Sequence, residues 1–111
     1  MSEVALCRLS DLPQGHPMRF DPEGVPVVAT RLGDEVFALD DVCSHAHFLL
    51  SEGEVWEKDR TIECPKHGAL FSLVTGDAVT MPATRPVASY PIQIRDGDVL
   101  ITLPTDGEES E

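Results

Sequence analysis

Two short segments, Cys43-Ser44-His45 and Cys64-Pro65-Lys66-His67, each pair one thiol with one imidazole, and only certain folds bring both to one place. In an extended loop, residues two apart project to the same side, so Cys43 and His45 reach a common point. The tighter spacing of Cys64 and His67 suits a turn, with Pro65 restricting the backbone and Gly68 allowing a sharp exit. Set side by side, two such loops make a pocket of two sulfurs and two nitrogens. The scaffold must therefore present two adjacent loops from rigid flanking elements.

The flanks read as short strands. Apolar, β-branched runs recur at residues 4–9, 18–21, 25–32, 35–39, 61–64, 70–74, 78–81, 88–95 and 99–103, separated by turn residues. Gly33-Asp34 predicts a hairpin, Val74-Thr75-Gly76-Asp77 a second, and Asp96-Gly97-Asp98 a third. Nine prolines and eight glycines punctuate the chain, and no segment keeps a helical apolar period beyond about two turns. Only residues 46–52 suggest a single helical turn. An all-β barrel or sandwich follows as the expectation. At 111 residues the chain amounts to one domain, with enough length to bury a modest core. The acidic stretch 105–111 lacks apolar residues and is expected to fray.

Charge narrows the partners. Twenty acidic against eight basic residues give a net charge of −12, which repels phosphate backbones and anionic lipid. No nucleic-acid or membrane partner is expected; the charge either steers the protein toward a basic patch on another protein or serves only to keep it soluble. The first twenty residues lack a basic start followed by a long apolar run, so a cytoplasmic location is expected. Three cysteines, Cys7, Cys43 and Cys64, are too few for a disulfide framework and point to thiol or metal chemistry.

Three readings of the four-residue pocket stand side by side. The thiols and histidines can be unrelated core and surface residues. A tetrahedral zinc site, stabilising an interaction module, accepts two cysteines and two histidines, although its common spacings keep like ligands together. In the third, two histidines replace two cysteines on one iron of a [2Fe–2S] cluster. The paired boxes, eighteen residues apart, resemble the C-x-H and C-x-x-H boxes of Rieske proteins. The similarity spans nearly the whole chain, including residues 36–41, Leu50-Ser51-Glu52-Gly53, and Thr75-Gly76 followed by Met81-Pro82-Ala83. It is strongest toward the free-standing Rieske ferredoxins that serve bacterial non-haem iron, aromatic-ring-hydroxylating oxygenases.

That resemblance implies an antiparallel β barrel or sandwich base, residues 1–41 and 87–104, carrying an inserted two-loop cluster-binding subdomain at about 42–86. It implies one [2Fe–2S] cluster per chain, with Cys43 and Cys64 on the inner iron and His45 and His67 on the outer. The chain is then no enzyme by itself but an electron-transfer component. It would take electrons from a flavoprotein ferredoxin reductase and pass them to a terminal oxygenase, docking near His45 and His67 as a monomer. Accessory proteins of iron–sulfur assembly and the small subunit of assimilatory nitrite reductase are similar enough to stand as alternatives.

Departures from respiratory Rieske proteins sharpen the expectation. Phe48 and Lys66 occupy the places of the bracing disulfide, which agrees with a reducing compartment. Ala69 and Phe71 stand where a serine and a tyrosine donate to the cluster sulfurs. Fewer donors leave the potential lower, near the bottom of the Rieske range at about −150 mV. Cys7 reads as a small buried hydrophobe, and His16 as a solvated loop residue. His47 reads either as part of a docking surface or as an exposed histidine without a role. Lys66 reads as pointing to water, Pro82 as covering one side of the cluster, and Trp56 as packing under the loops or facing solvent.

Overall fold

The computed structural model describes residues 2–42, 49–65, 68–79 and 86–103. Within them lie ten strands: β1 (Ser2–Arg8), β2 (Met18–Phe20), β3 (Val27–Leu32), β4 (Glu35–Asp40), β5 (Glu54–Trp56), β6 (Thr61–Glu63), β7 (Leu70–Ser72), β8 (Ser89–Tyr90), β9 (Ile92–Arg95) and β10 (Asp98–Leu103). Single 3-10 turns cover Leu9–Asp11, Pro22–Gly24 and Leu50–Glu52. The chain is all-β, as its punctuation requires.

The strands form three antiparallel sheets, ordered β1-β10-β9, β2-β3-β4-β8 and β5-β6-β7. The middle sheet is the shared wall. On one side Val27, Ala29, Val36 and Ala38 pack against Val99, Ile101 and Leu103 of β10. On the other, Val28 and Leu39 pack with Leu50, Ile62, Phe71 and Leu73. Burial on both faces explains why β3 reads as a continuous apolar run rather than an alternating one. Val99, Ile101 and Leu103 of β10 are buried while Leu100 and Thr102 are less so, the period of two expected of a strand with one core face.

Turn chemistry sets the registers. Asp96 and Gly97 both take positive φ, 53° and 83°, the two-residue turn whose twist matches the strands it joins; β9 and β10 then pair from Asp98 opposite Arg95 onward. Residues 88–95 are not the single strand that their pattern suggests. Pro91 has no N–H to give a ladder, so the run divides: Ser89 and Tyr90 pair with β4, while Ile92–Arg95 pairs with β10. The Pro91 carbonyl accepts from the Thr102 amide at 3.0 Å, and the chain changes sheets at this corner.

Two further differences concern the segments near the paired boxes. Strand β5 has no counterpart among the sequence-predicted strands; it pairs with β6 from Glu54 opposite Glu63 to Trp56 opposite Thr61. The expected strand 78–81 is present as a bridge between Ala78 and Phe71 and an amide bond from Val79 to the Leu70 carbonyl, 2.8 Å. Thr80 and Met81 lie outside the described residues, as do 105–111 and residues 46–48 of the expected helical turn; Leu50–Glu52 of that turn is 3-10. Among the described residues, no helix is long and apolar enough to cross a membrane.

The central sheet carries one local cost. The hydroxyl of Thr30 is wholly buried on β3 and has no hydrogen-bond partner among the described residues. An unsatisfied buried hydroxyl destabilises by roughly 1–3 kcal/mol, and valine has the same shape without it. Thr30→Val is therefore expected to raise the unfolding free energy by about 1 kcal/mol, seen as a higher urea midpoint at unchanged slope. A lowered midpoint would mean that the hydroxyl has a partner.

Candidate metal centre

Of the four residues singled out as ligands, Cys64 lies within the described residues, whereas Cys43, His45 and His67 lie outside them. Cys64 directly follows β6, and its side chain is wholly buried among Leu50, Ile62, Ala69 and Phe71. Its amide donates to the Ala69 carbonyl at 2.7 Å, closing the turn between β6 and β7. Pro65 is exposed at that turn, and Gly68 takes a φ of 70°, a conformation that costs a residue with a Cβ. Cys64 and Pro65 therefore begin the connection from β6 to β7, whose register, Glu63 opposite Leu70, is fixed just beneath them.

The first box is framed from both ends. Val42 and Leu49, the described residues on either side of it, form an antiparallel bridge. Leu50 is wholly buried in the same apolar cluster as Cys64 and Ala69, which sets the base of the first loop against the base of the second.

Asp41 fastens the first loop. It is fully buried, its backbone carbonyl accepts from the Leu50 amide (2.7 Å), and its carboxylate accepts from the Ser51 amide (2.7 Å) and the Ser51 hydroxyl (2.8 Å). Arg19 Nη1 lies 3.4 Å from the same carboxylate. Reading the sequence assigned no role to Asp41, Ser51 or Arg19. The available signal was a second acidic residue directly after Asp40, the last residue of β4, and two positions before Cys43.

The surroundings of Cys64 suit a metal-bound sulfur. A thiolate enclosed by aliphatic and aromatic side chains is poorly solvated, and a bound cation offsets that cost. Two thiolates and two neutral imidazoles are a soft, borderline donor set of the kind that iron–sulfur groups take. Ala69 and Phe71 are both fully buried and carry no hydroxyl.

Other singled-out residues fall as follows. Cys7 is half-buried on β1, packed with the Leu12, Ala29, Val36 and Val99 cluster, and burial with the nearby Asp11 charge pushes its thiol up from about 9 to about 11. It is a protonated apolar side chain at neutral pH and a poor ligand. Because the folded protein holds this proton more tightly than the unfolded chain, stability is expected to fall as pH rises from about 9 to 11. Cys7→Ala should remove that part of the alkaline loss in melting curves. An unchanged alkaline slope would locate the titration elsewhere.

His16 is exposed, in accord with a loop residue. Trp56 faces solvent and does not pack under the loops: it is 45% exposed on β5, and its indole N–H donates to Glu63 Oε1 at 2.9 Å. His47, Phe48, Lys66 and Pro82 lie outside the described residues. Glu52, Gly53, Glu54, Glu63 and Pro65 line an acidic surface groove beside the second loop.

Comparison with known proteins bears on this arrangement. Residues 2–91 match the family model described as Rieske [2Fe–2S] domain. The 3-phenylpropionate/cinnamic acid dioxygenase ferredoxin subunit of Shigella flexneri serotype 5b (strain 8401) is 42% identical over 105 residues, covering 94% of this chain and 96% of that one. Among solved structures, the ferredoxin of carbazole 1,9a-dioxygenase from Nocardioides aromaticivorans IC177 superposes with a TM-score of 0.91 at 32% identity, covering 94% of this chain and 100% of that one. A ferredoxin solved in complex with the reduced oxygenase of carbazole 1,9a-dioxygenase gives a TM-score of 0.83 at 31% identity, covering 89% and 100%. Among the readings of the four-residue pocket, these matches favour the iron–sulfur one over zinc.

Proposed function

Given that this chain belongs to the Rieske [2Fe–2S] domain family and that its relatives are ferredoxin subunits of dioxygenases, we propose that it is the one-electron carrier of a multicomponent non-haem iron oxygenase. It takes electrons from a flavoprotein reductase and delivers them to the terminal oxygenase, in the cytoplasm and as a monomer. The chain holds one cluster, with Cys43 and Cys64 on the inner iron and His45 and His67 on the outer. The two loops belong to an inserted unit of about residues 42–86 on a base of residues 1–41 and 87–104.

The observation that carries this reading is the meeting of the two loop bases in one buried cluster, where Leu50 and Cys64 are both fully enclosed. The bound cluster supplies reversible one-electron chemistry. The chain's own groups do the rest. Cys43 and Cys64 supply thiolates from opposite loops, and His45 and His67 supply neutral imidazoles. Leu50, Ile62 and Phe71 form a dry floor at the Cys64 side. The acidic groove beside Pro65, with Glu52, Glu54 and Glu63, suits transient, salt-sensitive docking to basic surfaces on both partners.

With Ala69 and Phe71 in place of hydroxyl donors, the potential should lie near the bottom of the Rieske range, at about −150 mV. Redox titration of the purified protein checks this. A clearly positive value would contradict the low-potential assignment and remove oxygenase supply as the natural role. Supply itself is checked by turnover of a Rieske oxygenase with a ferredoxin reductase and this protein, expected to slow as salt is raised.

A further inference from the structure

We infer that Asp41 is a positioning residue for the first cluster loop, acting on Cys43 and His45 through Ser51; this rests on the cluster assignment proposed above. The placement is specific. β4 ends at Asp40, Val42 and Leu49 on either side of the first box form a bridge, and Asp41 lies one residue before that bridge. Its backbone and side chain together hold the 3-10 turn Leu50–Glu52: the carbonyl takes the Leu50 amide, Oδ1 takes the Ser51 amide, and Oδ2 takes the Ser51 hydroxyl. Its own amide donates to the Pro26 carbonyl at 3.0 Å, tying the loop base to the segment that enters β3. Arg19 of β2 completes the set, 3.4 Å from Oδ2, with a second contact to Asp21 at 3.0 Å.

A carboxylate with no solvent exposure that accepts from two groups of one residue is a fixed fitting, unlike a surface ion pair. Both ends of the loop are thereby locked to the middle sheet, and a ligand pair two residues along inherits that lock. Leu50, held by the same residue, also forms part of the floor around Cys64, so Asp41 sets one loop relative to the other. Groups that orient metal ligands from behind act on affinity and on the electronic structure of the centre.

The test compares Asp41→Ala, Asp41→Asn and Ser51→Ala with Ile101→Ala, a cavity variant in the core on the far side of the middle sheet. Two readouts are taken on holoprotein: the electron paramagnetic resonance line shape after dithionite reduction, and the rate of cluster loss to a chelator below the melting transition. Asp41→Ala is expected to change the g anisotropy and to speed cluster loss by roughly 10–100-fold. Asp41→Asn, which keeps an acceptor for the Ser51 amide, should recover part of both. Ile101→Ala should keep the wild-type line shape and loss rate despite a lower melting temperature.

Should Asp41→Ala not fold, Ser51→Ala carries the same two expectations at smaller size. The inference is overturned if the Asp41 or Ser51 variants, whichever fold, match Ile101→Ala in both readouts while wild type shows a normal Rieske signal. A wild type without that signal overturns the cluster assignment, and this inference with it.

Discussion

Replacing Cys64 by serine or by alanine is expected to abolish the visible charge-transfer bands and to lower iron affinity beyond the roughly 10–100-fold that losing an outer-shell partner costs. The two substitutions separate ligand loss from packing. Serine places a more polar group than sulfur among Leu50, Ile62, Ala69 and Phe71, at a cost in desolvation. Alanine leaves only a small cavity. If Cys64 is a ligand, both lose iron equally while their apoproteins melt at different temperatures. Cys7→Ser, by contrast, should keep a full complement of iron, because the Cys7 thiol stays protonated to about pH 11 and packs in a different cluster. Iron retained in both Cys64 variants would remove this residue from the ligand set.

Gly53→Ala is expected to be the most damaging single methyl group in the described part of the chain. Gly53 has an ordinary φ of −93°, so it is not required for a left-handed turn. It is required for space: a Cβ there would fall on the backbone carbonyl oxygen of Glu63, the residue before Cys64. That carbonyl cannot move without breaking the β5–β6 register, Glu54 opposite Glu63, on which the second loop stands. A close backbone approach of this kind is a known reason for glycine at a strand end. Displacement should cost about 3 kcal/mol or more, lowering the melting temperature by about 10 °C or more in a chain of this size. Cluster loss should accelerate as well, since the β6–β7 hairpin carries Cys64. An alanine variant melting within about 2 °C of wild type would show that the β5 edge yields freely.

How much of this was legible in the sequence depends on the range of the interactions involved. Strand β10 is plain because burial on one face writes a period of two into Val99, Ile101 and Leu103. The Asp96-Gly97 turn is plain because positive φ restricts the residues that can occupy it. Residues 88–95 mislead because the pattern is apolar on both sides of Pro91, and only the partners, β4 before it and β10 after it, reveal the change of sheet. Strand β5 was missed because Glu54 and Trp56 face solvent, leaving Val55 as its single inward residue.

The same distinction holds at the site. The spacing of Cys43 with His45 and Cys64 with His67 is local, so the boxes stand out. The resemblance to Rieske proteins, carried by those boxes, agrees with the family match over residues 2–91. The fastening of the loops is not local. Asp41 meets Ser51 ten residues on and Arg19 twenty-two residues back, and nothing in its neighbours announces either contact. Trp56 shows the opposite case, an aromatic residue that suggests burial yet holds Glu63 at the surface through its indole N–H.

The central claim is that Cys43, His45, Cys64 and His67 hold one Rieske-type [2Fe–2S] cluster. Electron paramagnetic resonance of the dithionite-reduced protein tests it most directly. A spectrum with the low average g value of a histidine-ligated cluster, carrying couplings to two nitrogens, is the expected result. A reduced protein with the signature of an all-cysteine cluster, or a colourless protein containing zinc, would contradict it.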